Sequence, residues 1–184
     1  GLTPDEIRKS IEILRLNSPY GADTRFETIE LLEPDKAAVR AFKPGDAIAR
    51  KVRANLFNAK SIGVTRMTLC LDTGTVLTRQ ELPTMRPMIQ LEQFLEVEGI
   101  IRKDPAFIAG CVKRGITDMS MVCIDPWSAG EFSIPGEEGR HLCHVFAWLR
   151  LRENENFYAH PIEGLNAVID LNTWEVIRVD DYGI

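Results

Sequence analysis

The chain has 184 residues, enough for one or two domains, and its hydrophobic fraction of 45% is sufficient for buried cores. Its 22 basic and 27 acidic residues give a net charge of −5, which excludes the basic surface of a protein that binds nucleic acid or anionic membranes. No apolar run reaches the roughly 18 residues of a membrane-spanning helix, and residues 1–5 have neither the basic nor the apolar part of a signal peptide. We therefore expect neither nucleic acid nor a membrane as a partner.

The first predicted element is a helix that begins at Pro4. Thr3 and Glu6 have the spacing of a capping box, and proline suits the first helical position. Apolar residues at positions 7, 11 and 14 form one stripe, which ends near Leu16.

Four extended segments follow the helix, at about residues 25–32, 47–57, 62–71 and 76–81. The third alternates apolar and polar residues from Met67 onward, with Val64 out of phase, which indicates a bulge near Val64. Residues 72–75 (Asp-Thr-Gly-Thr) predict a hairpin turn. The first half of the chain is therefore predicted to be one helix followed by four antiparallel strands.

A domain boundary is predicted at Pro83 and Pro87, because proline interrupts regular structure. We assign residues 1–82 to a first domain, 83–90 to a linker and 91–184 to a second domain. In the second domain we predict helices at about residues 91–101 and 107–113, then strands at about 119–124, 141–152, 162–171 and 175–179.

The two halves share a short sequence pattern as well as their order of elements. Residues 71–76 and 171–176 have Leu, then Asp or Asn, then Thr, and finally Val at matching places. Hairpin turns also converge on such residues, but the shared element order favours duplication of a helix-on-sheet unit. We predict an α+β protein of two tandem units, each with a helix packed on a mostly four-stranded antiparallel sheet.

The four cysteines are isolated, without any Cys-x-x-Cys pair, at Cys70, Cys111, Cys123 and Cys143. Such residues usually behave as small buried hydrophobic side chains, so we expect four free thiols. Reduced thiols favour an intracellular location, cytoplasmic or peroxisomal, over an oxidising compartment.

Catalytic and metal-binding patterns are weak throughout the chain. On a strand, His141 and Cys143 would share one face while His144 points the other way, and two ligands do not complete a tetrahedral metal site. Ser128 lacks the Gly-x-Ser-x-Gly elbow of a serine hydrolase. Cys123 and Cys143 lack the helix start or basic cluster that activates a thiol. We predict no metal site and no catalytic residue.

Two predicted loops are rich in aromatic residues. Trp127 lies in residues 125–130, and Tyr158 lies in residues 154–164 beside Phe157. Aromatic side chains in loops either cover the core beneath them or line a binding surface, and both interpretations stay open at this point.

The same loops carry a resemblance to a known family. Residues 126–130 (Pro-Trp-Ser-Ala-Gly), 159–165 (Ala-His-Pro-Ile-Glu-Gly-Leu) and 168–173 (Val-Ile-Asp-Leu-Asn-Thr) resemble the third domain of copper amine oxidases. Residues 33–39 (Glu-Pro-x-Lys-Ala-x-Val) are similar to the domain that precedes it. The resemblance covers the whole chain and is most specific over residues 82–182.

The resemblance implies a cystatin-like fold for each half. It also implies a parent enzyme that deaminates primary amines oxidatively to aldehyde, ammonia and hydrogen peroxide. The family makes its topaquinone cofactor from the tyrosine of a Thr-x-x-Asn-Tyr-Asp/Glu motif, and it binds copper with a His-x-His pair and a third histidine. Neither motif occurs in this sequence. Copper and topaquinone are therefore expected in a catalytic β-sandwich domain that this non-catalytic N-terminal region lacks.

The resemblance further implies that Phe94, Pro126, Trp127 and Tyr158 line the channel through which the primary amine reaches the active site. The expected partners are the catalytic domain of the same chain and, for the parent enzyme, a second copy in a homodimer. An alternative of another class is a free-standing binding or interaction module that reuses these domains. A thiol or metal enzyme using Cys143 and His141 is a third, remote interpretation.

Overall fold

A computed structural model of the chain describes residues 1–60 and 62–183. These residues divide into two compact units, Gly1–Pro87 and Met88–Ile184, although Ile184 itself, where the second predicted domain ends, lies outside the described residues. Within the described part of the chain, no helix has the length and apolar character needed to cross a bilayer.

The first unit is a helix packed on a four-stranded antiparallel sheet whose strand order is β1-β2-β3-β4. Leu14 of the first helix is fully buried against Val52, Leu56 and Met67 of the sheet. The elements are α1 (Pro4–Asn17), β1 (Arg25–Leu32), α2 (Lys36–Ala41), β2 (Lys51–Phe57), β3 (Val64–Cys70) and β4 (Thr75–Leu82).

The start of α1 agrees with the predicted capping box. The Thr3 N–H donates to Glu6 Oε2 over 2.7 Å, and the Glu6 N–H donates to Thr3 Oγ1 over 3.3 Å. Each bond gives a partner to a backbone N–H group at the start of the helix, where no carbonyl of a preceding turn is available.

Three details of the first unit differ from the sequence-based prediction. The second strand begins at Lys51 rather than at residue 47, and the short helix α2, capped by Asp35, was not predicted. The bulge predicted near Val64 is wrong, because the β2–β3 register is regular up to Thr65 and the β3–β4 register is regular from Val64 to Thr68. Thr65 is the inward-facing residue in phase with Met67, and its buried hydroxyl bonds to Tyr20 over 2.8 Å, so a polar residue takes a place where the pattern calls for an apolar one.

The second unit has two helices and a five-stranded antiparallel sheet in the order β5-β6-β8-β9, with the short β7 paired to β6. Val97, Ile101 and Phe107 of the helices are fully buried against one face of this sheet. The elements are α3 (Leu91–Ile101), α4 (Pro105–Lys113), β5 (Val122–Ser128), β6 (Leu142–Leu149), β7 (His160–Pro161), β8 (Leu165–Asp170) and β9 (Val176–Asp181). The α+β fold class predicted for the chain is confirmed.

The position of strand β5 differs from the prediction in a way that bears on function. The predicted strand at residues 119–124 is shifted, since Met119–Met121 form a 3-10 turn and the strand runs over Val122–Ser128. Trp127 therefore lies in a strand and not in a loop.

The four cysteines are free and buried, as expected.

The β3–β4 and β8–β9 hairpins share the same backbone irregularities. Their registers shift at residues 68–69 and 168–169, which are matching positions of the sequence repeat. Gly74 and Trp174, also at matching positions, have positive φ angles of 68° and 63°. A shared turn conformation next to a shared bulge supports duplication of one ancestral unit.

We predict that residues 1–87 and 88–184, expressed separately, each fold on their own, because each contains its own buried core. Each half should give a dispersed amide spectrum and a cooperative thermal transition. If either half is unfolded while the whole chain is folded, the division into two domains with a linker over residues 83–90 is incorrect.

Candidate functional site

The four residues assigned from the resemblance lie on three elements of the second unit. Trp127, on β5, is 59% exposed, and Tyr158, in the turn before β7, is 53% exposed. Phe94, on α3, is 37% exposed. Pro126 is buried.

Strand alternation separates these residues between the two faces of the sheet. Ile124 belongs to the core beneath the helices, so its neighbour two residues on, Pro126, faces the helices as well. Asp125 and Trp127 therefore lie on the opposite face, which we call the outer face. On β6 the residues that pair with Asp125 and Trp127 are Phe146 and His144, and Trp148 pairs with Cys123.

A carboxylate joins two of the exposed aromatic residues of this face. The Trp127 Nε1–H donates to Asp125 Oδ2 over 2.9 Å, and the Tyr158 hydroxyl donates to Asp125 Oδ1 over 3.4 Å. The Tyr158 ring packs edge-on against Trp148 at 5.1 Å and against Phe157 at 5.0 Å between centroids. We call these five residues the Asp125 cluster: Asp125, Trp127, Trp148, Phe157 and Tyr158.

The electrostatics of the cluster keep Tyr158 in its neutral form. Desolvation of the phenol, followed by the negative charge of Asp125, raises the pKa of Tyr158 above its usual value. A phenol is protonated at neutral pH in any case, and the shift strengthens this preference, so the hydroxyl can donate to the carboxylate.

Thiol chemistry is disfavoured in this unit. Burial raises the pKa of Cys143 to about 12 and that of Cys111 to about 11, and burial likewise raises the pKa of Cys123. A nucleophilic cysteine requires a thiolate, so these three thiols remain inert at neutral pH.

The described residues also do not fit copper. No group of three or more His, Cys, Asp or Glu side chains in residues 1–60 and 62–183 is arranged to hold a metal ion. His141 precedes β6, and Cys143 packs in the core beneath the helices, whereas His144 lies on the outer face. A copper site needs converging imidazoles, which this arrangement does not supply.

Two members of the cluster, Asp125 and Trp148, were missed from the sequence. Asp125 lies two residues before Trp127, so alternation alone would have placed them on one face once the strand was recognised. Trp148 offered no comparable signal, because its contact with Tyr158 depends on how the turn before β7 folds back.

Comparison with known proteins gives two family matches that together span nearly the whole chain. Residues 3–79 match the AGAO-like N2 domain, and residues 92–184 match the copper amine oxidase N3 domain. A primary amine oxidase of Arthrobacter sp. (strain P1) is 36% identical over 177 residues, which cover 96% of this chain and 27% of that protein. A histamine oxidase of Arthrobacter globiformis is 34% identical over 188 residues, covering 99% of this chain and 27% of that protein.

A solved structure resembles the chain in fold. The crystal structure of a copper-containing benzylamine oxidase from Hansenula polymorpha superposes with a TM-score of 0.75 at 21% identity, over 98% of this chain and 29% of that one. A diamine oxidase of Nicotiana tabacum, described as peroxisomal, is 29% identical over 111 residues, which cover 59% of this chain and 14% of that protein. The chain thus spans 27% of the length of the Arthrobacter relatives it matches.

Proposed function

Because the chain belongs to the copper amine oxidase family, in which it corresponds to the N2 and N3 domains, we propose that it is the non-catalytic N-terminal region of a primary amine oxidase. Its two units are cystatin-like domains that pack on a catalytic domain of the same chain. The parent enzyme, a homodimer, converts primary amines to aldehyde, ammonia and hydrogen peroxide with copper and topaquinone held by that catalytic domain. Its location is cytoplasmic or peroxisomal, which suits four reduced thiols.

The observation that carries this proposal is the aromatic surface on the outer face of the second unit. Trp127, Phe146 and Tyr158 are 59%, 42% and 53% exposed, although large aromatic side chains gain most from burial. Exposed aromatic side chains grouped on one face of a sheet are typical of a site that faces another surface. Since the chain is about a quarter of its relatives in length, we propose that the catalytic domain of the same protein faces this surface, with the route of the amine between the two.

The same surface supports a role in amine access. Trp127 and Tyr158 offer flat, rigid walls that can contact the hydrocarbon part of a passing amine without any chemistry of their own. Phe94, a partly exposed ring on α3, belongs to the helix layer on the other side of the sheet, so its place in the proposed channel rests on the family resemblance. Pro126, which the resemblance assigns to the same set, is buried and faces the helices, so we give it an indirect role: its ring restricts the backbone next to Trp127.

Copper loading of the purified 184-residue chain tests the non-catalytic part of this proposal. We expect no stoichiometric copper binding and no peroxide release from benzylamine or tyramine, because the chain has neither converging imidazoles nor the tyrosine motif from which the quinone is made. The full-length protein, loaded in the same way, is the positive control. Peroxide release by the 184-residue chain above a heat-denatured sample would refute the assignment.

A further inference from the structure

Asp125 is a partly exposed carboxylate whose two hydrogen bonds come from neutral donors. One oxygen accepts from the Trp127 indole and the other from the Tyr158 hydroxyl. Among the described residues, the ion pairs involve other carboxylates, and none includes Asp125. Its negative charge is therefore left without a direct cationic partner.

The carboxylate also keeps unused acceptor capacity. An ionised carboxylate offers about four lone-pair sites, and Asp125 uses one on each oxygen. A cationic N–H group that approaches from solvent can therefore bond to Asp125 while the bonds to Trp127 and Tyr158 stay in place.

The rings around Asp125 favour the same kind of ligand. Trp127 and Tyr158 are each more than half exposed, and Phe157 packs against Tyr158 at 5.0 Å between centroids. The faces of aromatic rings carry partial negative charge and attract cations, most strongly in tryptophan. A carboxylate bordered by such rings matches a ligand with one positive nitrogen and an adjoining hydrocarbon part.

We propose that Asp125, Trp127 and Tyr158 form a binding site for organic ammonium ions. The nitrogen bonds to the Asp125 carboxylate, and the hydrocarbon part lies against the two rings. This deepens the proposed function, on which the identity of the natural ligand rests, because a primary amine is an ammonium ion at neutral pH. The site would select the charged form of the substrate before it reaches the catalytic domain.

A simpler role for Asp125 is to hold the two rings in place without contacting a ligand. The two roles differ in their dependence on ligand charge. A carboxylate that only positions the rings gives equal binding of a cation and of a neutral molecule with the same shape, whereas an ammonium site prefers the cation.

The test follows the Trp127 indole N–H resonance of the isotope-labelled 184-residue chain by NMR during titration with benzylammonium or with benzyl alcohol. A Trp127→Phe sample assigns the resonance among the three tryptophans. We expect a saturable shift with benzylammonium and binding of benzyl alcohol that is weaker by about 10-fold, as for a hydrogen bond between charged groups. Equal affinity for the two ligands, or no saturable shift with benzylammonium, would overturn the inference.

Two matched variants distinguish the effect of the Asp125 carboxylate on ligand affinity from the effect of the net charge of the chain. Asp125→Asn and Glu163→Gln each remove one negative charge, but Glu163 is an exposed residue outside the Asp125 cluster. We expect Asp125→Asn to lower the benzylammonium affinity by about 10-fold and Glu163→Gln to change it by less than about 2-fold. Equal effects of the two variants would contradict an ammonium site at Asp125.

The comparison of benzylammonium with benzyl alcohol uses the unmodified chain. It therefore tests the ammonium site even if Asp125→Asn alters the fold. It is also independent of the channel proposal. A chain that binds both ligands equally disproves the ammonium site alone, whereas unchanged amine selectivity after removal of the Trp127 ring in the full-length protein disproves the channel alone.

Discussion

Replacement of Arg114 by alanine is expected to destabilise the second unit by about 2–4 kcal/mol, because several backbone carbonyls would lose their donor at once. The Arg114 side chain is only 8% exposed. Its guanidinium ties the end of α4 to the turn before β8 and to the end of β9. It donates to the carbonyls of Gly110, Glu163, Gly164 and Gly183 and to the carboxylate of Asp181.

Urea denaturation followed by tryptophan fluorescence measures this loss. The three tryptophans, Trp127, Trp148 and Trp174, are all in the second unit, so the signal reports on that unit alone. Lys113→Ala is the matched control, since Lys113 bonds to the same Asp181 carboxylate over 2.9 Å but its side chain is 68% exposed. An exposed ion pair contributes at most about 1 kcal/mol, so a similar loss in both variants would contradict the proposed role of Arg114.

The parts of the fold that the sequence predicts well are those set by neighbouring residues. Helix α1 begins where Thr3, Pro4 and Glu6 indicate, because a capping box needs only residues three apart. The turn predicted at residues 72–75 is likewise a local feature; in the structure it spans residues 71–74 and is closed by a bond from the Gly74 N–H to the Cys70 carbonyl over 2.9 Å.

Strand β5 shows why other parts were not predicted. A proline at 126 with Ser, Ala and Gly at 128–130 is typical of a loop, yet Pro126, Trp127 and Ser128 pair with β6 in a continuous register. The proline is tolerated because β5 lies at the edge of the sheet, where a missing N–H does not interrupt the ladder. That position depends on the order of the strands, which no local pattern contains.

The residues of the candidate site likewise fall into those that the sequence indicates and those that only the structure shows. Trp127 and Tyr158 could be named from the family resemblance, but Asp125 could not. Its role follows from a hydrogen bond to Tyr158, which is 33 residues away in the sequence. Gly164, within the resemblance motif, is explained only by the structure: its φ is +66°, and a Cβ there would lie 2.5 Å from the Gly183 carbonyl oxygen.

Removal of the Trp127 ring in the full-length protein should alter which amines are accepted. Trp127→Ala takes away an exposed wall of the proposed channel, and pocket contacts of this kind discriminate between substrates by about 10–200-fold. The effect should appear mainly in kcat/KM, because a remote wall acts on substrate capture rather than on the chemical step. Quinone formation should be unaffected, since Trp127 belongs to a domain without the cofactor motifs.

A second test variant and one control accompany this variant. Tyr158→Ala removes the other wall and should shift selectivity in the same direction. Trp174→Ala removes a ring of the same type, 36% exposed, from the β8–β9 turn outside the Asp125 cluster, and should leave selectivity unchanged. The melting temperature of each variant shows whether the removed ring also stabilised the fold. If the ring covers the core of its domain, its loss should lower the free energy of unfolding by about 3–5 kcal/mol.

The decisive measurement is the ratio of kcat/KM for methylamine to that for 2-phenylethylamine in the full-length protein and in its Trp127→Ala variant. We expect the ratio to change by at least about 10-fold while the quinone content and the melting temperature stay close to those of the unmodified protein. An unchanged ratio together with a large fall in the melting temperature would show that Trp127 covers the core of its own domain and does not line the route of the amine.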